Sequence, residues 1–427
     1  MTAAYPIRPI SEGEFRAFYA VLGHAFHATY PLDPELEHDR LILETDRTLA
    51  AFDGADIVGT ALALTFRMTL PGGAATVAGV TAVSVLPSYR RRGILSSLMR
   101  RQLADVRDRG EAIATLFASE APIYGRYGYG IATAELDLTI RRGEGDLPAT
   151  AARPGRDGPG RPVRLRIADP PDAVTELATV FDAVWPARPG MLARDGRWWD
   201  YLLWDPEHRR SGSTPLRCVI AEDDAGPRGY ALFSGKPEWD DHGIPSGVLN
   251  VRELIAVDPR AYAAVWNDLL SRDLVSEVRA RVRPADEPLL YLLADRRRAR
   301  PLLVDGLWVR LVSVPEALSQ RSYACAADVV IEVTDELFAE NGGRWRLRAP
   351  GPAEAAGPAP EPATCERTSA PADLALPVQA LGAAYLGGTR LGALAGAGLV
   401  TEIRPGALAA LSAAMSWDPA PWCPTSF

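Results

Sequence analysis

The chain has 427 residues, of which 47% are hydrophobic, and this length is too great for one ordinary hydrophobic core, so we expect two or three domains. Asp and Glu (54) outnumber Lys and Arg (46), and the formal net charge of -8 argues against a nucleic-acid-binding protein, whose binding surface would be basic. An acidic protein favours cationic small molecules as partners.

The sequence shows no targeting or metal-binding signal. No apolar run is long enough to cross a bilayer, and the first residues lack the basic-then-apolar pattern of a signal peptide, so we predict a cytoplasmic protein with no membrane partner. The four cysteines form no CxxC pair, and the five histidines include no HxxxH motif with an acidic residue inside it. We therefore predict neither a disulfide framework nor a bound metal.

The first third of the chain alternates strand and helix patterns, which is typical of a mixed α/β domain. The predicted strands cover residues 5–9, 47–53, 57–70, 75–85, 112–118 and 131–140, and the predicted helices cover residues 12–28 and 94–109. A turn-rich segment at residues 148–162 follows, and we expect it to be a linker.

Residues 90–93, Arg-Arg-Arg-Gly, connect the predicted strand 75–85 to the predicted helix 94–109. That helix is indicated by apolar residues that recur on one face, namely Ile94, Leu95, Leu98, Met99, Leu103 and Val106. Free N–H groups and the positive end of the helix dipole can hold a pyrophosphate, and Gly93 leaves room for it. An isolated RRRG run is more often a solvated helix start, but its place between strand and helix favours acyl-coenzyme A as the ligand.

Residues 163–300 repeat the plan of the first domain without the arginine-rich turn. A predicted strand at 248–257 leads into a predicted helix at 262–272, and the sequence VDPRAY replaces the arginines and the glycine. The repeat indicates a second domain of the same type that has lost its ligand-binding loop. Farther on, residues 350–371 are expected to be an exposed loop, residues 374–416 show helical spacing, and residues 418–427 are stiffened by prolines.

Two motifs resemble those of a known family. The residues around the RRRG turn resemble motif A of the GCN5-related N-acetyltransferases (GNAT), with Ser96 where that motif ends in a small residue. Residues 118–130, ASEAPIYGRYGYG, closely resemble the A-S-E-x-x-I-Y-G-R-F-G-Y-G segment of the Eis (enhanced intracellular survival) family, acetyltransferases that modify aminoglycosides. The resemblance implies an α+β (mixed α/β) chain with two tandem GNAT-type domains (1–150 and 151–300), the second lacking the cofactor loop, and a C-terminal sterol-carrier-protein-like α+β domain (301–427).

The resemblance also implies the residues of the active site. It puts the contacts to the cosubstrate acetyl-CoA on Val83, Ser84, Val85, Arg91, Arg92, Gly93, Ile94, Leu95, Ser96, Ser119 and Glu120. It implies that Tyr124 is the proton donor and that the terminal carboxylate of Phe427 is the proton acceptor, in a direct attack of the amine on the thioester. It further implies a homohexamer. No cysteine lies beside a histidine, so the sequence does not favour a covalent relay.

Both catalytic groups need suitable surroundings. Reference pKa values of about 10 for tyrosine and about 8.5 for a thiol make full proton transfer unfavourable by roughly 2 kcal/mol, so either the thiolate is protonated as it forms or Tyr124 is acidified locally. An α-carboxyl with a pKa of about 3.5 is a weak base unless burial raises that pKa. Chain ends are usually frayed, but the prolines and Trp422 indicate a tail that is held in place. We interpret Tyr127 and Tyr129 as packing residues.

The sequence indicates the residues that bind the amine substrate, which accepts the acetyl group, less clearly than the residues that bind acetyl-CoA. Candidate residues for an acceptor site are Phe26, Tyr30, Trp198 and Trp199, although tryptophan is more commonly a packing residue. The resemblance favours aminoglycosides, acetylated at one or several amines. The open alternatives are protein lysines or polyamines as acceptors, a longer acyl chain than acetyl, and a non-catalytic lipid-binding or regulatory protein.

Overall fold

The computed structural model describes residues 5–28, 33–148, 163–351 and 362–427. The chain forms two compact units. The first contains the residues up to Thr133 together with Leu307–Asp418 and Thr425–Phe427, and the second contains Ala134–Gly306 and Pro419–Pro424. Among the described residues, no helix combines the length and apolar character that crossing a membrane requires.

The described residues up to Thr133 alternate strands and helices, as the sequence predicts. The strands are β1 (Ile7–Arg8), β2 (Thr48–Asp53), β3 (Asp56–Leu70), β4 (Gly73–Val85), β5 (Ile113–Phe117) and β6 (Gly130–Ile131); the helices are α1 (Phe15–Phe26), α2 (Asp33–Arg40), α3 (Ile94–Asp108) and α4 (Ala121–Tyr124). Leu98, Met99 and Leu103 of α3 are buried, which confirms the predicted amphipathic helix.

The second unit repeats this plan. Its strands are β7 (Ala134–Arg141), β8 (Arg164–Ala168), β9 (Arg217–Asp223), β10 (Gly226–Lys236), β11 (Gly247–Ala256), β12 (Val275–Pro284) and β13 (Leu302–Asp305); its helices are α5 (Val174–Val184), α6 (Gly196–Leu203), α7 (Pro259–Leu270) and α8 (Leu289–Leu292). The strand order is β13-β7-β12-β11-β10-β9-β8. Helix α7 follows β11 as α3 follows β4, and its Val265 and Trp266 lie in the core of this unit.

The strand predicted at residues 131–140 is two strands in two different sheets. Gly130–Ile131 pairs with β14 in the first unit, whereas Ala134–Arg141 pairs with β12 and β13 in the second. The physical reason is burial, because Leu136, Leu138 and Ile140 alternate along β7 and enter the core of the second unit. The compact units therefore divide after Thr133. The domain boundaries at residues 150 and 300 stay predictions.

The C-terminal part of the first unit contributes β14 (Leu307–Leu311), β15 (Ala327–Thr334), β16 (Gly343–Ala349), β17 (Thr364–Arg367), β18 (Leu374–Pro377) and β19 (Thr401–Glu402), with helices α9 (Val314–Ser319), α10 (Val378–Ala384), α11 (Leu391–Gly396) and α12 (Ala407–Met415). Two predictions were wrong here. The expected loop 350–371 contains β17, which pairs with β16, and residues 352–361 lie outside the described residues. The helical stretch predicted at 374–416 begins with a strand, because alternate residues Leu374 and Leu376 are buried.

The first unit has two sheets, with strand orders β1-β2-β3-β4-β5-β14-β6 and β17-β16-β15-β18-β19. Strand β14 inserts between β5 and β6 and pairs antiparallel with both. Residues that follow the second unit in the chain thereby complete the first sheet. The C-terminal sheet and its helices form the third domain, and the sequence motifs of interest lie at the end of β4 and after β5.

Candidate functional site

A bulge at the end of β4 opens the first sheet. The register between β3 and β4 shifts so that Ala82 and Val83 face a single residue of β3, and Ala82 takes a φ of +50°. The hydroxyl of Thr60 donates to the carbonyl oxygen of Ala82 at 2.8 Å, which holds the bulge. On its other side β4 pairs with β5 at Ala78 and Gly79, and the ladder does not extend to the bulge. The two parallel strands therefore separate beyond Gly79.

The N-terminus of α3 lies just beyond this bulge. Gly93 is the N-cap residue with a φ of +83°, a conformation that disfavours any residue with a side chain. Among the described residues, no side chain caps α3. The first N–H groups of the helix are thus available to a ligand, and the dipole favours an anion.

One cavity of about 690 Å³ joins the bulge to this helix start. Of the residues predicted to contact acetyl-CoA, it is lined by Val83, Ser84, Val85, Arg91, Gly93, Ile94, Leu95, Ser96, Ser119 and Glu120. Other lining residues that sequence reasoning missed include Arg90, Arg126 and Tyr127. The charged lining residues are predominantly basic, with Glu120 as the acidic one. The cavity therefore suits a polyphosphate better than a polycation.

Arg92 is the one predicted contact that does not line this cavity. Its guanidinium donates to the hydroxyl of Tyr5 and the carbonyl of Ser88, both at 3.0 Å, and lies 4.7 Å from the ring centre of Tyr89. These contacts brace the turn itself. Arg92 therefore supports the helix start, whereas its neighbours Arg90 and Arg91 lie at the cavity wall.

Tyr124 ends α4 and lines the cavity, although its side chain is largely buried. Burial raises the pKa of the Tyr124 phenol above its ordinary value, and a side-chain hydrogen bond with Ser119 offsets this only in part. Of the two alternatives that the sequence left open, local acidification of Tyr124 is therefore excluded, and protonation of the thiolate as it forms is the one that remains. The phenol stays protonated at neutral pH, so it can donate a hydrogen bond to a group on which negative charge develops.

The two neighbouring tyrosines have different surroundings. Tyr129 is completely buried, in agreement with a packing role. Tyr127 also lines the cavity, and its hydroxyl lies 3.1 Å from Oγ of Ser96 at the start of α3. Tyr127 is buried in the same hydrophobic cluster as Tyr124 and Tyr129, in agreement with packing, and its contact with the cavity is an additional feature that the sequence analysis missed. Its spacing of three residues from Tyr124, which puts both on one face of a helical turn, was the available signal.

The last residue of the chain is seated where β4 and β5 separate. The ring of Phe427 lies 4.8 Å from the ring of Phe66 and 5.3 Å from that of Phe117, measured between centroids. A Cβ atom on Gly79 would lie 3.0 Å from the Phe427 ring. Phe117 ends β5, two residues before Ser119 at the cavity. The chain end is therefore packed against the first sheet, which carries the cavity, and is not frayed.

The preceding residues of the tail are held within the second unit. Trp422 is buried there, its backbone N–H donates to Pro189 at 2.9 Å, and its indole N–H donates to the carbonyl of Val282 at 2.8 Å. Arg188 donates to the carbonyl of Ala420 at 2.8 Å. The tail with an aromatic anchor that the sequence indicates is present.

The four candidate acceptor residues are not brought together. Phe26 lines the cavity and is 50% exposed, whereas Tyr30 lies outside the described residues. Trp198 and Trp199 are buried in the second unit, with Trp199 only 2% exposed and packed edge-on against Phe181 at 5.7 Å. Their role is core packing, because α6 turns both rings away from solvent. No cluster of metal-ligating side chains occurs in the part of the chain that the structure describes.

Comparison with protein families divides the chain into three matched regions. Residues 6–132 and residues 190–311 each match a model described as an acetyltransferase (GNAT) domain. Residues 314–424 match a model described as a sterol carrier protein domain. The order of these regions is the one that the sequence motifs imply.

Known proteins resemble the chain over nearly its whole length. An uncharacterized N-acetyltransferase from Streptomyces avermitilis is 44% identical over 99% of both chains. N-acetyltransferase Eis from Mycobacterium tuberculosis is 32% identical over 89% of both chains. The crystal structure of Eis1 from Mycobacterium abscessus superposes with a TM-score of 0.80 at 31% identity, covering 99% of this chain and 100% of that one.

Proposed function

Because the chain belongs to the Eis family of GCN5-related N-acetyltransferases and is an acetyltransferase, we propose that it transfers acetyl from acetyl-CoA to the amines of cationic small molecules, with aminoglycosides as the first candidates. One observation carries the proposal. A single cavity contains the uncapped start of α3, the bulged end of β4 and the protonated Tyr124.

GNAT domains imply the use of acetyl-CoA, and the arginines that line the cavity suit its phosphates. The N–H groups at the start of α3 bind the pyrophosphate together with Arg90 and Arg91. Bound acetyl-CoA supplies a thioester carbonyl and a thiolate leaving group. Those N–H groups of Val83–Val85 that face the β5 side have no β5 partner, and they donate to an oxygen that becomes negative during attack.

Two proton transfers accompany the reaction. Tyr124 donates a hydrogen bond to the departing sulfur as charge develops on it, since burial keeps the phenol protonated. The same raised pKa makes the phenol a weaker acid, so the proton passes to the sulfur only as the thiolate forms. The terminal carboxylate of Phe427 accepts the proton of the attacking amine. The seat of the Phe427 ring between Phe66 and Phe117 supports this role, since it keeps the chain end at the separated strands.

The identity of the acceptor rests on the family resemblance and on the net charge of -8. Protein lysines and polyamines share the cationic amine and are competing acceptors. A thiol-release assay with acetyl-CoA should therefore compare aminoglycosides, polyamines and lysine peptides. We expect kcat/KM to be highest for an aminoglycoside; a preference for lysine peptides or polyamines would reject that acceptor.

The same assay tests the chemistry. A Tyr124→Phe enzyme should lose at least about tenfold in kcat with an unchanged KM for acetyl-CoA. Tyr291→Phe, at an exposed tyrosine of the second unit, is the matched control. Normal kcat in Tyr124→Phe would remove the proton donor from the mechanism. A homohexamer in the cytoplasm is part of the same proposal, and light scattering of the purified chain tests its oligomeric state.

A further inference from the structure

The glycines that follow Tyr124 pack against helix α10 of the third domain without room for a side chain. A Cβ atom on Gly130 would overlap the carbonyl oxygen of Gln379 and would lie 2.5 Å from the backbone nitrogen of Ala383. A Cβ atom on Gly125 would lie 3.0 Å from Nε2 of Gln379. Helix α10 therefore touches Gly130 backbone to backbone and reaches Gly125 through the side chain of Gln379.

The contact is equally close from the side of the helix. A Cβ atom on Gly382 would overlap the carbonyl oxygen of Val309 in β14 and would lie 3.4 Å from the nitrogen of Gly130. The hydroxyl of Thr389 donates to the carbonyl of Ile131 at 3.2 Å. Helix α10 is thus fitted to both β14 and the end of the glycine segment.

A buried ion pair supports the segment at a second point. Arg310 of β14 donates to Oδ2 of Asp335 in the third domain at 2.6 Å, and both side chains are almost completely buried. Asp335 also accepts from the backbone N–H of Leu337 at 3.0 Å. A Cβ atom on Gly128 would lie 2.5 Å from Nη1 of Arg310. Breaking such a pair is strongly unfavourable, so the guanidinium stays fixed against the segment.

Backbone hydrogen bonds within the glycine segment connect it to Tyr124. The N–H of Gly128 donates to Gly125 at 3.0 Å, and the N–H of Tyr129 donates to the carbonyl of Tyr124 at 3.3 Å. A displacement of any of these glycines therefore moves the residue that carries the phenol.

We infer that the third domain positions Tyr124: helix α10, through Gln379 and the glycine contacts, and the Arg310–Asp335 pair hold the phenol at the distance the departing sulfur requires. The inference rests on the proposed function of Tyr124. It assigns the sterol-carrier-like domain a second part in acetyl transfer beside the carboxylate of Phe427, and it explains the repeated glycines as the surface that α10 needs. Gln379 is a positioning residue, because it acts through Tyr124.

A double-mutant cycle in the full-length chain tests this inference. Gln379→Ala leaves space beside Gly125, and we expect kcat to fall about tenfold while the KM for acetyl-CoA and its affinity by calorimetry stay unchanged. In the Tyr124→Phe background the same substitution should have no further effect on kcat. Gln379→Met, which keeps the length of the side chain, should restore most of the activity. Gln320→Ala, at an exposed glutamine of the same domain, is the control and should leave kcat unchanged.

The outcomes separate the two hypotheses. A normal kcat in Gln379→Ala overturns the positioning role, as does an equal loss in the wild-type and Tyr124→Phe backgrounds. A normal kcat in Tyr124→Phe overturns the proposed role of Tyr124 as proton donor, on which the inference rests. Gly130→Ala is a second variant, expected to lower kcat about a hundredfold. Gln379→Ala decides the question if Gly130→Ala does not fold, because its side chain is only half-buried.

Discussion

The ring of Phe427 packs against Phe66 and Phe117, so the roles of this ring and of the terminal carboxylate can be tested separately. Phe427→Ala keeps a terminal carboxylate but removes the ring contacts with Phe66 and Phe117. Each aromatic pair contributes about 0.5–1.5 kcal/mol, so the loss of both pairs weakens the binding of the chain end to the sheet by about 1–3 kcal/mol. Because a tenfold change corresponds to about 1.4 kcal/mol, we expect kcat to fall about 5- to 150-fold.

A single glycine added after Phe427 keeps the ring and displaces the carboxylate. We expect this extension to cost about 10²–10⁴ in kcat, the usual contribution of a general base. Thiol release at saturating acetyl-CoA measures both losses, and Ser426→Ala, at an exposed neighbour, is the matched control. Thermal unfolding should be unchanged by the extension. Full activity of the extended chain would refute the assignment of the terminal carboxylate as the base, whatever Phe427→Ala shows.

Three further predictions concern other parts of the molecule. Gly93→Ala forces a side chain into a φ of +83°, at a cost of about 1–2 kcal/mol, and should weaken acetyl-CoA binding in calorimetry; unchanged affinity would contradict the role of the helix start. Burial, with Asp137 and Asp305 nearby, raises the pKa of Glu135 from 4.5 to about 8, so the folded state keeps a proton that the unfolded state loses, and stability should fall as the pH rises between these values. Glu135→Gln should remove this pH-dependent loss, measured as a fall in Tm. An unaltered pH dependence of Tm in the variant would contradict the raised pKa of Glu135. Trp422→Ala should lower the free energy of unfolding by about 3–5 kcal/mol and Trp422→Phe by less; equal losses in denaturant unfolding would deny the indole its anchoring role.

Local patterns predicted the elements that carry the site, and long-range pairing accounts for most of the errors. The strand, turn and helix from β4 to α3 follow from apolar spacing and one glycine, all within a short stretch of chain. Nothing in the local sequence indicates that Leu307–Leu311 completes the first sheet after a whole intervening unit, or that the strands on either side of Thr133 belong to different sheets. Such pairings depend on which distant partner buries the strand.

The errors within the site have a similar cause. The motif brought Arg91 and Arg92 forward as equivalent, but a side chain at a helix start can point in several directions, and Arg92 turns to Tyr5 and Tyr89. The direction of the pKa shift of Tyr124 depends on burial, which comes from packing in three dimensions. Motifs of this kind therefore indicate which residues meet, and the packing decides what each side chain does.

The two acetyltransferase-type domains differ at the N-cap of the helix that follows the central strand. In the first, Gly93 leaves the start of α3 uncapped beside the arginines. In the second, the corresponding helix α7 is capped by Asp258, whose carboxylate accepts from the N–H groups of Arg260 and Ala261, both at 3.0 Å. A carboxylate there satisfies the donors that a pyrophosphate would use and repels its charge. The start of α7 therefore already has an anionic partner in its own chain, whereas the start of α3 has none among the described residues.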